Sequence, residues 1–220
     1  GTSPSVAAAS STQFRIAFRA NTGNLYQYDS VNGATNLSQG MAVGTSPSIT
    51  RLAGGGYVIA FQANTGNLHY YDSAGGHALT LGMKAGTSPS IAASSSGGFR
   101  IAFQANNGNL YQYDSVTGSA TNLNQGMMTG TSPGIAATSS GYVIAFQANN
   151  GNLYYYDSSG SHTTSQGMAV GTSPSIAGSS GGWKIAFQAN NSNLYVFDTT
   201  SGAVGLQQGM KPGTSPAITG

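Results

Sequence analysis

The sequence predicts an all-β fold: one five-bladed β-propeller made of four-stranded antiparallel blades. Three observations predict it. The tetrapeptide Gly-Thr-Ser-Pro begins at Gly1, Gly44, Gly86, Gly130, Gly171 and Gly213, in steps of 43, 42, 44, 41 and 42 residues. Each unit alternates apolar and polar residues with period two, the mark of a half-buried strand. Gly and Asn punctuate the units at turn spacing. The single domain spans residues 1–220, with repeats at 1–43, 44–85, 86–129, 130–170 and 171–212 and a partial closing strand at 213–220.

Within a unit, the third repeat serves as the example. Residues 88–93 form the first strand, entered through Pro89, where a missing N–H is tolerated. Residues 99–105 form the second. Phe99, Ile101, Phe103 and Ala105 share one face, and Arg100, Ala102 and Gln104 the other. Asn106-Asn107-Gly108 is a hairpin turn in which Gly supplies positive φ. Residues 109–114 form a Tyr-rich third strand, residues 114–118 a second turn, and residues 121–128 the fourth strand. Four strands in ~40–45 residues match one propeller blade. Helical repeats are excluded by the Gly content and the period of two, and a leucine-rich horseshoe by its shorter period of ~20–29 residues. A trefoil or prism wants three units. Five blades need twenty strands, but six copies of Gly-Thr-Ser-Pro supply twenty-one. One terminal copy is therefore redundant in a closed ring, or pairs elsewhere.

Composition excludes most chemistry. Of 220 residues only 5% are charged, while 39% are hydrophobic, with 8 Phe and 12 Tyr, so the chain collapses into a core. A net charge of +2 spread over the chain makes no basic stripe for nucleic acid. No apolar run approaches the ~18–20 residues of a membrane span. The absence of cysteine removes disulfides and thiolate zinc sites. The chain opens on Gly1 with no signal-peptide pattern, as expected of a processed or excised protein. There is no Glu, and the five Asp are one position repeated, so paired-carboxylate catalysis is unsupported. His69, His77 and His162 assemble neither a triad nor a zinc site. One Asp per repeat cannot supply the 6–8 oxygens calcium takes. No enzyme, metal or cofactor is expected.

The repeat words Gly-Thr-Ser-Pro-Ser-Ile-Ala, Ile-Ala-Phe-Gln-Ala-Asn and Gly-Asn-Leu-Tyr run through the whole chain. They resemble tandem repeats of secreted actinobacterial proteins, often appended to hydrolases. The Ser-Pro-x-hydrophobic, Phe and Gly-x-Leu-Tyr pattern is similar to tectonin-type bacterial and fungal propeller lectins. Tachylectin-like lectins share the expected blade number. The first resemblance implies a secreted, extracellular setting and a possible fused enzyme. The second implies sugar binding between blades. The sequence departs from the lectin pattern in its outer strand, where Trp183 is the only Trp.

Four repeated positions are the candidate ligand residues. The Tyr set is Tyr26, His69, Tyr111, Tyr154 and Tyr195. A Tyr hydroxyl suits a place with one wet end, and His in one copy fits a groove better than a dry core. The amide set is Gln62, Gln104, Gln147 and Gln188, with Arg19 in the first repeat. Because Arg replaces Gln, this position is expected to be partly open to water. The hairpin residues Asn24, Asn67, Asn109, Asn152 and Asn193 read first as turn residues. Asp29, Asp72, Asp114, Asp157 and Asp198 read first as turn caps and second as sugar-hydroxyl acceptors. Phe18, Phe61, Phe103, Phe146 and Phe187 read as blade packing, and the Gly-Met methionines as gap-filling core.

Near-identical grooves on a rigid ring predict a multivalent, non-catalytic binder of neutral glycans on cell surfaces or glycoproteins. The alternatives are a protein-interaction or spacer propeller attached to a secreted enzyme, and an engineered consensus propeller.

Overall fold

The computed structural model describes residues 2–219 apart from 9, 11, 95, 96, 180 and 181. They form twenty strands in five four-stranded antiparallel sheets, matching a five-bladed β-propeller. The first blade comprises β1 (Ser5–Ala8), β2 (Phe14–Arg19), β3 (Asn24–Asp29) and β4 (Gly33–Gly40). The second comprises β5 (Ser48–Arg51), β6 (Tyr57–Gln62), β7 (Asn67–Asp72) and β8 (Gly75–Gly82). The third comprises β9 (Ser90–Ala93), β10 (Phe99–Gln104), β11 (Asn109–Asp114) and β12 (Ser119–Gly126). The fourth comprises β13 (Gly134–Thr138), β14 (Gly141–Gln147), β15 (Asn152–Asp157) and β16 (Gly160–Gly167). The fifth comprises β17 (Ser175–Ser179), β18 (Gly182–Gln188), β19 (Asn193–Asp198) and β20 (Gly202–Gly209).

The expected third strand matches β11 residue for residue, while β12 lies two residues earlier than expected. The shift has a local cause. The β11–β12 register slips between Leu110 and Tyr111, and Asn124 takes a positive φ of 55° opposite the slip. Such a bulge bends the outer strand and places its ladder out of step with simple alternation.

Each join between blades is an apolar seam. At the second join, Val58, Ala60, Leu68 and Met83 of the second blade pack against Ile91, Phe99, Ile101 and Phe103 of the third. The aromatic-x-Ile-Ala-Phe strand therefore faces backward, toward the preceding blade, and the Leu and Met positions face forward. The Phe and Met assignments hold at the joins: Phe61, Phe103, Phe146 and Phe187 and Met41, Met83, Met127 and Met168 are all buried.

The Gly-Thr-Ser-Pro motif is a joining device. Gly44 turns the chain at φ 78°, and buried Thr45 donates its hydroxyl to the Ala42 carbonyl at 3.0 Å. The following Ser accepts the backbone N–H of its counterpart one blade earlier. Ser3, Ser46, Ser88, Ser132 and Ser173 donate in turn to the hydroxyls of Ser46, Ser88, Ser132, Ser173 and Ser215, each at 2.9 Å. Residues 213–219 continue this series beside β17, where Ile218 N–H reaches the Ser175 hydroxyl at 3.2 Å.

Among the described residues no such bond links Ser215 back to Ser3. Ser132→Ala should therefore strand the buried-side Ser88 N–H and lower unfolding stability by about 1–3 kcal/mol. Ser3→Ala removes no acceptor and should stay within about 0.5 kcal/mol. Guanidinium unfolding of the two variants checks the pair. Equal losses would mean that the first and last blades are joined like the others.

Candidate functional site

The grooves between neighbouring blades collect Tyr111, Tyr154 and Tyr195 of the Tyr set. At the second join a cavity of ≈260 Å³ is lined by Thr80, Leu81 and Gly82 on one side and Phe103, Asn106 and Tyr111 on the other. Tyr111 is half-buried and leans on Phe103, ring centroids 5.7 Å apart. Strand pairing makes this contact, since Phe103 and Tyr111 are cross-strand partners on one face. Phe146–Tyr154 at 5.8 Å and Phe187–Tyr195 at 5.7 Å repeat it. Phe18–Tyr26 follows at 5.8 Å, and Phe61–His69 at 5.6 Å carries the His variant. Burial lowers the pKa of His69, so the ring stands neutral in its groove at physiological pH.

Two Asn positions complete the groove that sequence reasoning left among the turn residues. Asn107, Asn150 and Asn191 donate their amides to the hydroxyls of Tyr111, Tyr154 and Tyr195 at 3.3, 3.2 and 3.3 Å. Thr22 and Thr65 stand at this place in the first two repeats. The residue before each, namely Asn64, Asn106, Asn149 or Asn190, seats against the Gly that ends the preceding blade's outer strand. A Cβ at Gly126 would lie 2.6 Å from Asn149 Nδ2, and one at Gly167 2.7 Å from Asn190 Nδ2. The backbone locks the same contact, with Asn106 N–H donating to Gly82 carbonyl at 3.1 Å. The signal was present: Asn at the start of the hairpin and Gly-Met at the end of the unit in all five repeats.

The Gln set lies elsewhere. Gln62, Gln104, Gln147 and Gln188 are at most 1% exposed. Gln104 Nε2 donates to the carbonyls of Met127 and Met128 of its own blade, at 3.3 and 3.2 Å. These amides stitch the second strand to the end of the fourth, and their burial contradicts the expected opening to water. Only Arg19 is half-buried; its Nε reaches the equivalent Met41 carbonyl at 3.4 Å.

Asn24, Asn67, Asn109, Asn152 and Asn193 open the third strand of each blade. Their carbonyls receive the N–H groups of Ala20, Ala63, Ala105, Ala148 and Ala189, closing the hairpins.

The five Asp cap the outer turns, three beside an Arg or Lys and two beside a His. Asp29 accepts from Val31 and Asn32 N–H and from Arg15 at 2.7 Å. Those bonds, the Arg15 contact first among them, lower its pKa to about 2. Asp198 is likewise held at about 2 by Ser201 N–H and Lys184. Burial pushes Asp114 up, but Val116 N–H and Arg100 outweigh it and leave the pKa lowered. Asp72 and Asp157 take His77 and His162 at 2.9 and 3.1 Å. With their oxygens engaged this way, the Asp side chains serve the turns. A smaller cavity of ≈200 Å³ lies nearby at the first join, between Arg15, Gln27, Tyr57 and Asp72. Among the described residues no cluster of three His, Cys, Asp or Glu could hold a metal ion.

No protein-family model matches the chain, and comparison with curated proteins finds no match. Its fold does match solved propeller lectins. A crystal structure of the fucose-specific lectin of Aleuria aurantia, described as a six-bladed β-propeller, superposes with a TM-score of 0.67 at 17% identity. That match covers 99% of this chain and 84% of the lectin. SapL1 lectin in complex with α-methyl fucoside gives a TM-score of 0.67 at 13% identity, covering 95% of this chain and 80% of that one. AofleA from Arthrobotrys oligospora gives 0.65 at 14%, covering 93% and 72%. The chain therefore has the β-propeller fold found in this class of lectins.

Proposed function

We propose that the protein is a non-catalytic, multivalent lectin that takes neutral sugars in the grooves between its blades. The observation that carries this reading is the repeated arrangement of an aromatic ring, its hydroxyl and an Asn amide at Tyr111, Tyr154 and Tyr195, which at Tyr111 borders a cavity between blades. Sugars need that combination: C–H faces rest on rings while hydroxyls exchange hydrogen bonds with fixed polar groups. The cavity at the second join is lined by no charged side chain, which suits it to an uncharged ligand. Similarity to lectins solved with fucosides makes L-fucose the first sugar to test. The tandem-repeat resemblance supports an extracellular setting, in some proteins beside an attached hydrolase.

The test is a titration of the chain with L-fucose, galactose, mannose and N-acetylglucosamine, followed by NMR. At least one of them should shift the ring signals of Tyr111, Tyr154 and Tyr195 together, with more than one site per chain and weak, roughly millimolar affinity. No response to any of the four sugars, or a single site per chain, would overturn the reading.

A further inference from the structure

We propose that the opening between the fifth and first blades is a docking surface for one further blade of this repeat, of the kind found at the second and fourth positions. The axial cavity of ≈290 Å³ is lined by six Ser-Pro pairs, the last being Ser215-Pro216. The ring thus has six inner places, and the sixth holds only residues 213–219.

Both walls of the opening carry seam residues without a seam. On the first blade, Phe14 is 39% exposed where Phe99 is 7%, and Val6 is 65% exposed where Ile49 is 7%. On the fifth, Leu206 is 43% exposed where Leu37 and Leu123 are 7%. The backbone bonds of the other joins stop here too. Ala42, Lys84, Met128 and Ala169 each donate to the Gln carbonyl of the next blade, and Asn64, Asn106, Asn149 and Asn190 to the Gly carbonyl of the previous one. Among the described residues, Lys211 and Asn21 make no counterpart bond.

The kind of blade follows from an alternation in the joins. In the first, third and fifth blades the Asp partner is a cation on the second strand: Arg15, Arg100 and Lys184. In the second and fourth, Val58 and Val143 stand there, and the partner is His77 or His162 on the fourth strand. Odd-to-even joins lay the cation over the next blade's aromatic: Arg15 over Tyr57 at 4.4 Å, and Arg100 over Tyr142 at 4.8 Å. Even-to-odd joins use a stacked Tyr–His pair instead. Tyr70 on His77 at 4.3 Å meets Phe99 at 5.2 Å, and Tyr155 on His162 at 4.5 Å meets Trp183 at 4.8 Å. An alternation of two closes on itself only around an even number of blades. At the opening, Lys184 is 57% exposed with no ring over it, and Phe14 has no Tyr–His pair against it. An even-type blade supplies both: an aromatic for Lys184 and a Tyr–His pair for Phe14. Its innermost strand would be the segment already in the sixth place.

The test extends the full chain past residue 220 in two ways. One extension copies residues 138–170, the remainder of an even repeat; the other copies residues 94–129, the remainder of an odd repeat. Hydrogen exchange reads β2 and β19 directly. The even extension should slow exchange of the Ile16 and Ala17 amides at least about tenfold and raise the thermal midpoint above that of the odd extension. The proposal is overturned if the two extensions protect β2 equally, or if neither does. It is also overturned if sedimentation shows the unextended chain to be a dimer with β2 already protected, since a second copy then fills the opening. None of these readouts involves sugar binding, so this proposal and the lectin reading fail separately.

Discussion

Phe103→Ala is expected to lower unfolding stability by about 3–5 kcal/mol, the usual range for truncating a buried Phe. Phe103 is 1% exposed and sits in the seam between the second and third blades, against residues of both. Its ring also supports Tyr111. Removing it empties space that neither strand can refill, because both are pinned by their own ladders. The same change at Phe18 should cost clearly less. Phe18 occupies the equivalent position on the first blade but is half-buried, since no blade covers that face. Denaturant unfolding of the two variants at equal concentration gives the comparison. Equal losses would contradict the placement of the opening; a Phe103 loss within surface scatter of about 0.5 kcal/mol would contradict the seam.

The double variant Tyr111→Ala and Tyr154→Ala is expected to weaken binding to a glycan-coated surface by orders of magnitude while barely changing the affinity of one free sugar for the remaining sites. Linked weak sites can raise apparent affinity by ~10²–10⁴, and losing two of a small number removes most of that gain. Both rings are half-buried and end in a hydroxyl held by an Asn amide, so their removal exposes little core. Tyr195, with the same Asn–Tyr pair, remains as an internal reference. Surface plasmon resonance on a dense glycan layer, beside monosaccharide titration, separates the two quantities. A double variant that folds normally and binds the layer unchanged would remove the grooves from the mechanism.

The pairing of positions inside a blade was legible in the residues. Phe99, Ile101 and Phe103 alternate because a strand's side chains alternate, and Asn107-Gly108 turns because Gly takes positive φ without cost. The same local chemistry marked Asp114 as a cap and Tyr111 as a ring with one wet end. Between blades the reading thinned. Arg19 in place of Gln suggested an open site, yet Gln104 is closed off, because the segment that follows its own blade's fourth strand folds over it. Ser132 looked like a word in a repeat, but its hydroxyl receives Ser88 N–H from 44 residues earlier. Asn106 looked like a turn residue, but it seats on Gly82 of the blade before. Sequence determined the blade, since a blade is held by neighbours a few residues apart with a fixed period. Tertiary structure decided how blades meet, where the grooves lie and that one join is open, because those contacts pair residues about one repeat apart and depend on the pitch of the ring.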